Sequence, residues 1–298
     1  MILAALFLAA APPQIILTID PKHRLVEGVA SDGKTIFVSS ILDRTILQCR
    51  QECRPLAILP AGLHPFAIAW DATRSRLWVA ADCPANVEGI TACAQGALLA
   101  LDRRGRIRTR VTAAASPFHP GDVSASAAGV FVSDSQSGAV YRLSSGGKSL
   151  SALVPPGIGK SGQGTAADPS GKTLIVADYA QGIAAVDLAS GARTLLPRQD
   201  GKPLRGVDGL ARCGNSYIGV YNALAPGALL TIRMRPGGIE YGELVEGLKL
   251  VDPTQVAFDG KRLLVVADSG WAMLDEPGPR KSGAPIIAIP LGTDCKPL

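Results

Sequence analysis

Short apolar runs separated by turns rich in glycine and aspartate recur along the whole chain. The clearest copy is residues 162–182, which contains a polar entry at Gln163-Gly164, an inner strand, a tight turn at 168–171 and a buried strand at 174–177. Apolar residues alternate or run together over four to six positions, as in strands, and no long run has a helical period. The pattern predicts an all-β chain.

Five further stretches repeat this arrangement, at intervals of 38, 56, 42, 45 and 46 residues. A period in the forties built from short strands is typical of a propeller of four-stranded blades. The sequence therefore predicts a six-bladed β-propeller that forms one domain over residues 12–298. The other five entries are Glu27-Gly28, Pro65-Phe66, Gly121-Asp122, Asp208-Gly209 and Thr254-Gln255.

The two ends of the chain fit together in this scheme. Residues 14–20 (QIILTID) form a predicted strand that precedes the first repeat, whereas the last repeat has only three strands. A ring with open edges at its first and last blades would be prone to edge-to-edge association. We therefore expect the N-terminal strand to complete the last blade and close the ring.

The chain has six cysteines, and the blade model gives each of them a partner. Two flank a three-residue turn of blade 1, two bracket a long loop of blade 2, and two fall on the same face of blades 5 and 6. A zinc site is disfavoured because no Cys-x-x-Cys pair is present. Disulfides imply an oxidising compartment. The predicted pairs are Cys49–Cys53, Cys83–Cys93 and Cys213–Cys295.

An apolar block over residues 2–11 precedes Pro12-Pro13. It resembles the apolar core of a signal peptide, with a small-residue pattern at Ala9-x-Ala11, and it is too short to span a bilayer. Together with the cysteines, residues 1–11 predict export to the periplasm or outside the cell and no membrane span.

The net charge of +5 does not indicate a nucleic-acid partner. The one basic run, Arg103 to Arg110, has no interleaved aromatic residues, and its last three arginines alternate along a predicted strand. We interpret the run as the solvated outer edge of blade 2 and expect a monomer without a nucleic-acid partner.

The six entries bring polar side chains to one mouth of the predicted axis. Glu27, Gln163 and Asp208 would supply two carboxylates and an amide oxygen there, which are ligands suited to a divalent cation such as calcium. Two facing carboxylates repel each other unless a cation or a proton lies between them. The alternative is that each polar group bonds to the backbone of its own turn.

Other side chains flank this mouth. His64 and His119 each precede a proline and could transfer protons at neutral pH, although a solvated histidine is the simpler alternative. We predict that Asp122, Gln255 and Trp271 contact substrate; the tryptophan could equally pack its own loop.

Three aspartates follow the second strands of their blades. They are Asp134, Asp178 and Asp268, and such residues usually cap a turn through a side-chain oxygen. We interpret all three as structural.

The entries Glu27-Gly28, Gln163-Gly164 and Asp208-Gly209 resemble those of the gluconolactonase and senescence marker protein family of six-bladed propellers. The resemblance implies a divalent cation on the axis and hydrolysis of sugar lactones or related esters. It makes Glu27 and Asp208 metal ligands, the latter also acting as base.

In the same resemblance Gln163 stands where the family has a blade-4 asparagine, and Gly121 stands at its blade-3 asparagine. The implied function is a metal-dependent hydrolase of a small lactone or ester at the axial mouth. The alternative is a non-catalytic propeller with a degenerate metal site that binds a ligand or protein through loops 82–96 and 269–284.

Overall fold

The chain forms a ring of six four-stranded antiparallel sheets. The computed structural model describes residues 12–298 except 86, 88, 89, 91, 115, 116, 275–279 and 281, so the predicted leader over residues 1–11 lies outside the described residues. Each sheet is one blade of a six-bladed β-propeller, which confirms the fold predicted from the repeats.

In blades 1 to 5 the four strands follow each other outward from the axis in chain order. Blade 6 includes the first strand of the chain, β1 (Gln14–Ile19). Blade 1 comprises β2 (Val26–Ser31), β3 (Ile36–Ser40), β4 (Thr45–Cys49) and β5 (Cys53–Ile58). Blade 2 comprises β6 (His64–Asp71), β7 (Arg76–Asp82), β8 (Ala97–Leu101) and β9 (Ile107–Val111). Blade 3 comprises β10 (Pro120–Ser126), β11 (Gly129–Asp134), β12 (Val140–Leu143) and β13 (Leu150–Val154).

Blade 4 comprises β14 (Gly162–Ala167), β15 (Thr173–Asp178), β16 (Gly182–Asp187) and β17 (Arg193–Leu195). Blade 5 comprises β18 (Val207–Cys213), β19 (Ser216–Tyr221), β20 (Ala228–Arg235) and β21 (Gly238–Glu243). The remaining strands of blade 6 are β22 (Val256–Phe258), β23 (Arg262–Val266) and β24 (Ala284–Pro290). A 3-10 helix covers Trp271–Met273, and no helix in the described ranges is long and apolar enough to cross a membrane.

The N-terminal strand closes the ring as predicted. β1 pairs antiparallel with β24, with Gln14 opposite Ala288 and Ile19 opposite Ala284, and so becomes the outermost strand of blade 6. Blade 6 thereby joins strands from both ends of the described chain, which satisfies the outer edge of β24.

Hydrophobic clusters hold neighbouring blades together. Six clusters are present in the described residues, and each draws its buried side chains from two adjacent blades. Val38 and Val266, for example, share the cluster between blades 1 and 6, and Phe131 and Val176 share the one between blades 3 and 4. Burial of this apolar surface, at about 25 cal/mol per Å², is the main force that holds the blades in a ring.

A β-bulge at the start of the inner strand recurs in five blades. In blade 1, Val26 pairs with Ser40 and Val29 with Val38, so one residue more lies on β2 than on β3. Blades 2 to 5 have the same shift at the same place. Bulges redirect a side chain locally. Here they set the direction of the first entry residue of each of these blades, Glu27 among them.

The bulge corrects one predicted register. Pro65 pairs with Ala81, and Ile68 with Val79, so Phe66 occupies the position equivalent to Glu27. Blade 2 therefore presents an aromatic ring to the mouth, where the sequence analysis had placed Pro65.

The three predicted disulfides are present: Cys49–Cys53, Cys83–Cys93 and Cys213–Cys295. The last of them ties blade 5 to the segment that follows β24. Three disulfides in one chain suit an oxidising compartment.

We expect the Cys213–Cys295 disulfide to stabilise the fold more than Cys49–Cys53, because it closes a loop of 82 rather than 4 residues. The loop-entropy relation gives roughly 4.5 kcal/mol for the former and roughly 2 kcal/mol for the latter. Denaturant unfolding of the Cys213→Ala/Cys295→Ala protein, with Cys49→Ala/Cys53→Ala as the matched control, measures the difference. Equal losses would contradict the expectation.

Candidate functional site

The side chain of Gln255 crosses the propeller axis. Its Oε1 accepts hydrogen bonds from the backbone N–H of Val29 in blade 1 (2.9 Å) and of Ile68 in blade 2 (3.4 Å). Its Nε2 donates to Asp122 Oδ1 in blade 3, at 3.1 Å. Gln255 and Asp122, both buried, form what we call the axial plug, which links four of the six blades.

The plug needs small residues around it. A Cβ atom on Gly28 would lie 2.7 Å from both Phe66 O and Ser39 Oγ, and 2.9 Å from Gln255 Oε1. Ser39 Oγ accepts a hydrogen bond from Gly28 N (2.7 Å) and donates one to Phe66 O (2.5 Å), so it links blade 1 to blade 2. A glycine at position 28 is therefore required for this close approach.

Glu27 and Asp208 both belong to entries on one face of the propeller, and they are close enough for the charge of Asp208 to act on Glu27. Burial, followed by the negative charge of Asp208, raises the pKa of Glu27 well above its usual value. Burial raises the pKa of Asp208 to about 7, and the charge of Asp252 adds to the effect. Like charges in a poorly hydrated site disfavour ionisation. The pair therefore favours a bound proton or a cation.

Each of these carboxylates is held by a neighbouring side chain. Trp271 Nε1 donates to Glu27 Oε2 at 2.6 Å, and the Trp271 ring lies 6.5 Å from that of Phe66, centroid to centroid. Asn222 Nδ2 donates to Asp208 Oδ2 at 2.8 Å and to Pro253 O at 3.0 Å. Trp271 is thus brought to the site, but as a partner of Glu27. Asn222 is a site residue that sequence reasoning missed.

Asp252 is the second missed residue. Its Oδ2 accepts from Ser269 Oγ (2.6 Å) and from the N–H groups of Gly270 and Ala272 (3.1 Å each), so it fixes the turn that carries Trp271. Asp252 is followed by Pro253, which lies one position before Thr254, the first entry residue of blade 6. In blade 2, His64 is followed in the same way by Pro65, one position before Phe66. That shared position is the signal that could have found it.

Gln163 does not bond to the carboxylates. Its side-chain hydrogen bond among the described residues runs from Nε2 to Ser161 Oγ in its own blade, at 3.4 Å. Its Oε1 lies toward blade 3, 3.5 Å from the point where a Cβ on Gly121 would stand. The side chain of Gln163, one methylene longer than asparagine, thus borders the space that an asparagine at position 121 would fill.

The oxygen atoms at the mouth suit a hard cation only if an amide oxygen joins the two carboxylates as a ligand. No three His, Cys, Asp or Glu side chains of the described residues are grouped so as to hold a metal ion. Glu27 and Asp208 supply two carboxylates, and Asn222 Oδ1 is a buried oxygen without a hydrogen-bond partner. Calcium binds carboxylate and amide oxygens together. The fit therefore depends on Asn222 or Gln163 as a third ligand.

The two predicted histidines are held differently. His64 is buried, and its Nδ1 donates to Ile41 O at 2.7 Å, which suits a structural role. His119 is partly exposed, and its Nδ1 lies 3.0 Å from Asp82 Oδ2. With the proton on Nδ1, the carboxylate fixes the ring and leaves Nε2 free to accept a proton. Neither histidine is hydrogen-bonded to Glu27 or Asp208.

Asp134 and Asp178 bind their own turns, as interpreted from the sequence, whereas Asp268 makes no such turn hydrogen bond among the described residues. Asp134 Oδ1 accepts from the N–H groups of Gln136 and Ser137, and Asp178 Oδ1 accepts from that of Gln181. Asp268 pairs with Arg280 at 2.7 Å. The register corrects one detail, because Asp268 stands one position further along its blade than Asp134 does.

Beyond the plug, the axial channel widens into a cavity of about 370 Å³. Small, hydroxyl and larger apolar side chains line it. Ser124 and Thr165 are among them, with their oxygens 2.6 Å apart, and Arg212 stands toward the face of the A–B turns. The plug residues form its inner end, so Asp122 and Gln255 separate it from the mouth. They act here as hub residues; their predicted contact with substrate stays a prediction.

We expect Asp122→Asn to weaken the pH dependence of stability. Burial and the charge of Asp208 raise the pKa of Asp122 to about 7 from 3.8. Between pH 4 and 7 the folded protein keeps a proton that the unfolded chain releases, so its stability falls as the pH rises, by up to about 1.4 kcal/mol per pH unit for one proton. Denaturant unfolding across this range should show a shallower slope in the variant.

The control is Asp168→Asn, at a turn where hydrogen bonds from Ser170 and Thr173 outweigh desolvation and lower the pKa. Asp168 stays ionised throughout pH 4 to 7, so its replacement should leave the slope as in the parent protein. An unchanged slope in Asp122→Asn would show that this carboxyl ionises normally.

Comparisons with known proteins bear on the fold. No family model matches the chain, and no curated protein matches it in sequence. Among solved structures, a gluconolactonase from Xanthomonas campestris superposes with a TM-score of 0.63 at 17% identity, over 96% of this chain and 99% of that one. The PQQ-bound aldose sugar dehydrogenase from Streptomyces coelicolor superposes with a TM-score of 0.65 at 14% identity, over 94% and 99%.

A chain of a nidogen/laminin complex also superposes, with a TM-score of 0.56 at 12% identity, over 73% of this chain and 80% of that one. The chain is thus similar in structure to gluconolactonases and to related propellers at low sequence identity. At such identities the likeness shows the fold, a six-bladed propeller that serves hydrolases, oxidoreductases and chains of protein complexes alike.

Proposed function

We propose that this protein hydrolyses a lactone or related ester at the axial mouth. The observation that carries the proposal is the pair of buried, interacting carboxylates, Glu27 and Asp208, each held by a side-chain donor and each with a raised pKa. Raised carboxyl pKa values are typical of groups that transfer protons near neutral pH. The likeness in fold to a gluconolactonase supports the same reaction class.

Asp208 is the proposed general base. With a pKa of about 7 it is partly ionised at neutral pH and can accept a proton. As the water oxygen bonds to the substrate carbonyl carbon, Asp208 takes the proton, and it returns a proton to the ring oxygen when the C–O bond breaks. Asn222 keeps the carboxylate oriented for both transfers. His119, oriented by Asp82, is a second candidate for proton transfer.

A divalent cation, calcium by its ligands, would be held by Glu27, Asp208 and an amide oxygen of Asn222 or Gln163. When bound, it supplies Lewis-acid polarisation of the substrate carbonyl. The residues themselves favour such an ion, since positive charge there would offset both the burial of the two carboxylates and the repulsion that Asp208 exerts on Glu27 and Asp252 on Asp208. Trp271 holds Glu27 in place through its indole N–H.

We place the protein in the periplasm or outside the cell, as a monomer. The three disulfides support an oxidising location. The proposed partner is a small lactone or ester that enters from the loop-rich face.

The second candidate function is ligand or protein binding without turnover. It is favoured by one observation: the side chain of Gln163 bonds within its own blade, so Glu27 and Asp208 lack the amide ligand that the sequence predicts from blade 4. In that case the entry-face loops, including 82–96 and 269–284, carry the binding surface.

We expect Asp208→Asn to lower kcat/KM by at least about 100-fold on a panel of δ-lactones, because a positioned base contributes about 10² to 10⁴ in rate. Stopped assays at pH 7 with the uncatalysed rate subtracted measure the effect. Asp168→Asn, on the opposite face, should keep the parent rate. Full activity in Asp208→Asn would exclude this residue as the base.

We expect chelator-treated protein to bind Ca²⁺, and Glu27→Gln to abolish that binding while retaining the fold. Isothermal titration calorimetry with calcium chloride tests this directly, and thermal unfolding with and without calcium should show a higher Tm for the parent protein only. If the parent protein gives no heat of binding, the proposed cation site is wrong. Lactone hydrolysis in the presence of chelator would then indicate that the carboxylate pair acts without a metal ion.

A further inference from the structure

The cavity beyond the axial plug is walled by residues of all six blades, and the proposed reaction makes no use of it. Its volume of about 370 Å³ lies within the range of about 300 to 1,000 Å³ that is usual for small-molecule sites. Strand residues rise by about 3.3 Å each, so the wall from Asp122 to Ser126 gives a channel roughly 13 Å long. The cavity therefore has the size and the shape of a site for a small linear molecule.

One position of the inner strand is small in every blade. Larger side chains there would meet at the axis and fill the channel, so the small residues keep it open. At the level between this position and the plug the wall is apolar apart from Thr165, and Val29 and Ile68 belong to it. Such a surface favours an aliphatic chain. The six small residues, which all line the cavity, are Ala30, Ala69, Ser124, Ala166, Ala211 and Ala257.

The inner end of the channel carries buried polar groups with unused hydrogen-bonding capacity. Asp122 is 7% exposed, and its Oδ1 accepts from Val123 and Gln255, whereas its Oδ2 accepts no hydrogen bond from the described residues. Ser124 and Thr165 share one hydroxyl–hydroxyl bond, which leaves one of their two hydrogens to donate elsewhere. Buried polar groups normally have partners. A ligand hydroxyl suits both, because it donates and accepts.

The outer end of the channel carries a cation. Arg212 lines the cavity at the face of the A–B turns, and its guanidinium donates to Gly214 O at 2.9 Å. None of the ion pairs among the described residues involves Arg212, and the acids of nearby turns are engaged: Asp259 pairs with Arg262, and Asp168 accepts hydrogen bonds from its own turn. The remaining N–H groups of an arginine are suited to a carboxylate.

We propose that this cavity is a second binding site, which takes a linear hydroxy carboxylate. The carboxylate pairs with Arg212, the aliphatic chain fills the channel, and the hydroxyl bonds to Asp122 at the plug. The reverse orientation would place the ligand carboxylate beside the carboxyl group of Asp122, where like charges repel. The site opens on the face opposite to Glu27 and Asp208, so it does not depend on the proposed hydrolysis.

Isothermal titration calorimetry at pH 7 with 8-hydroxyoctanoate, octanoate and 1,8-octanediol tests each contact. We expect 8-hydroxyoctanoate to bind the parent protein at least about threefold more tightly than octanoate, because it makes one more hydrogen bond. In Arg212→Gln, its Kd should rise by at least about tenfold and that of the diol by less than about twofold. Arg104→Gln, an exposed arginine on the same face but outside the cavity wall, is the matched control and should keep both parent values.

A second variant locates the bound molecule. Ala211→Leu narrows the channel at the level of the small residues, so it should abolish binding of all three probes while thermal unfolding shows an intact fold. Binding that survives in folded Ala211→Leu overturns the assignment to this cavity. An affinity for 8-hydroxyoctanoate that is unchanged in Arg212→Gln overturns the carboxylate contact. If none of the probes gives heat with the parent protein, the cavity does not bind hydroxy carboxylates.

Discussion

The hydrogen bonds of one amide side chain decide the geometry at the centre of this propeller. Gln255 accepts from blades 1 and 2 and donates to blade 3, so a residue of blade 6 fixes the distances across the axis. Buried backbone N–H groups are costly to leave unpaired, and Gln255 satisfies two of them. The six hydrophobic junctions assemble the ring, but they are non-directional. The amide adds direction, because its hydrogen bonds link blade 6 to blades 1, 2 and 3.

The mouth concentrates negative charge that the surrounding structure has to tolerate. Four carboxyl groups, those of Glu27, Asp122, Asp208 and Asp252, act on each other there. Each carboxyl group accepts hydrogen bonds from a neighbour. Glu27 accepts from an indole N–H and Asp122 from the plug amide. Asp208 accepts from an asparagine, and Asp252 accepts from two backbone N–H groups. These hydrogen bonds do not fully offset burial and charge repulsion, so the pKa values of Glu27, Asp122 and Asp208 are raised. Such unbalanced charge is typical of binding and catalytic sites.

Much of the architecture could be predicted from the sequence because it depends on period. Entries some forty residues apart fix the blade count, a spare strand at one end matches a missing strand at the other, and cysteine positions on neighbouring turns give the pairing. The same periodicity brings Glu27 and Asp208 to one mouth. The sequence pattern does not predict the β-bulges, each of which adds one residue to a strand. The bulge in β6 puts Phe66 in place of Pro65 but leaves the hydrophobic pattern unchanged. Asn222, Asp252 and the reach of Gln255 depend on side-chain direction, which period does not encode.

The composite last blade has a consequence for how the molecule comes into being. β1 finds its partner only in β24, so the strand made first stays unpaired until almost all of the described chain has been synthesised. Contacts between such distant segments form slowly, because a long loop must close before they contribute. Closure of the ring is thus tied to synthesis of β24. Glu27 therefore acquires its indole partner, Trp271, only when blade 6 joins blade 1.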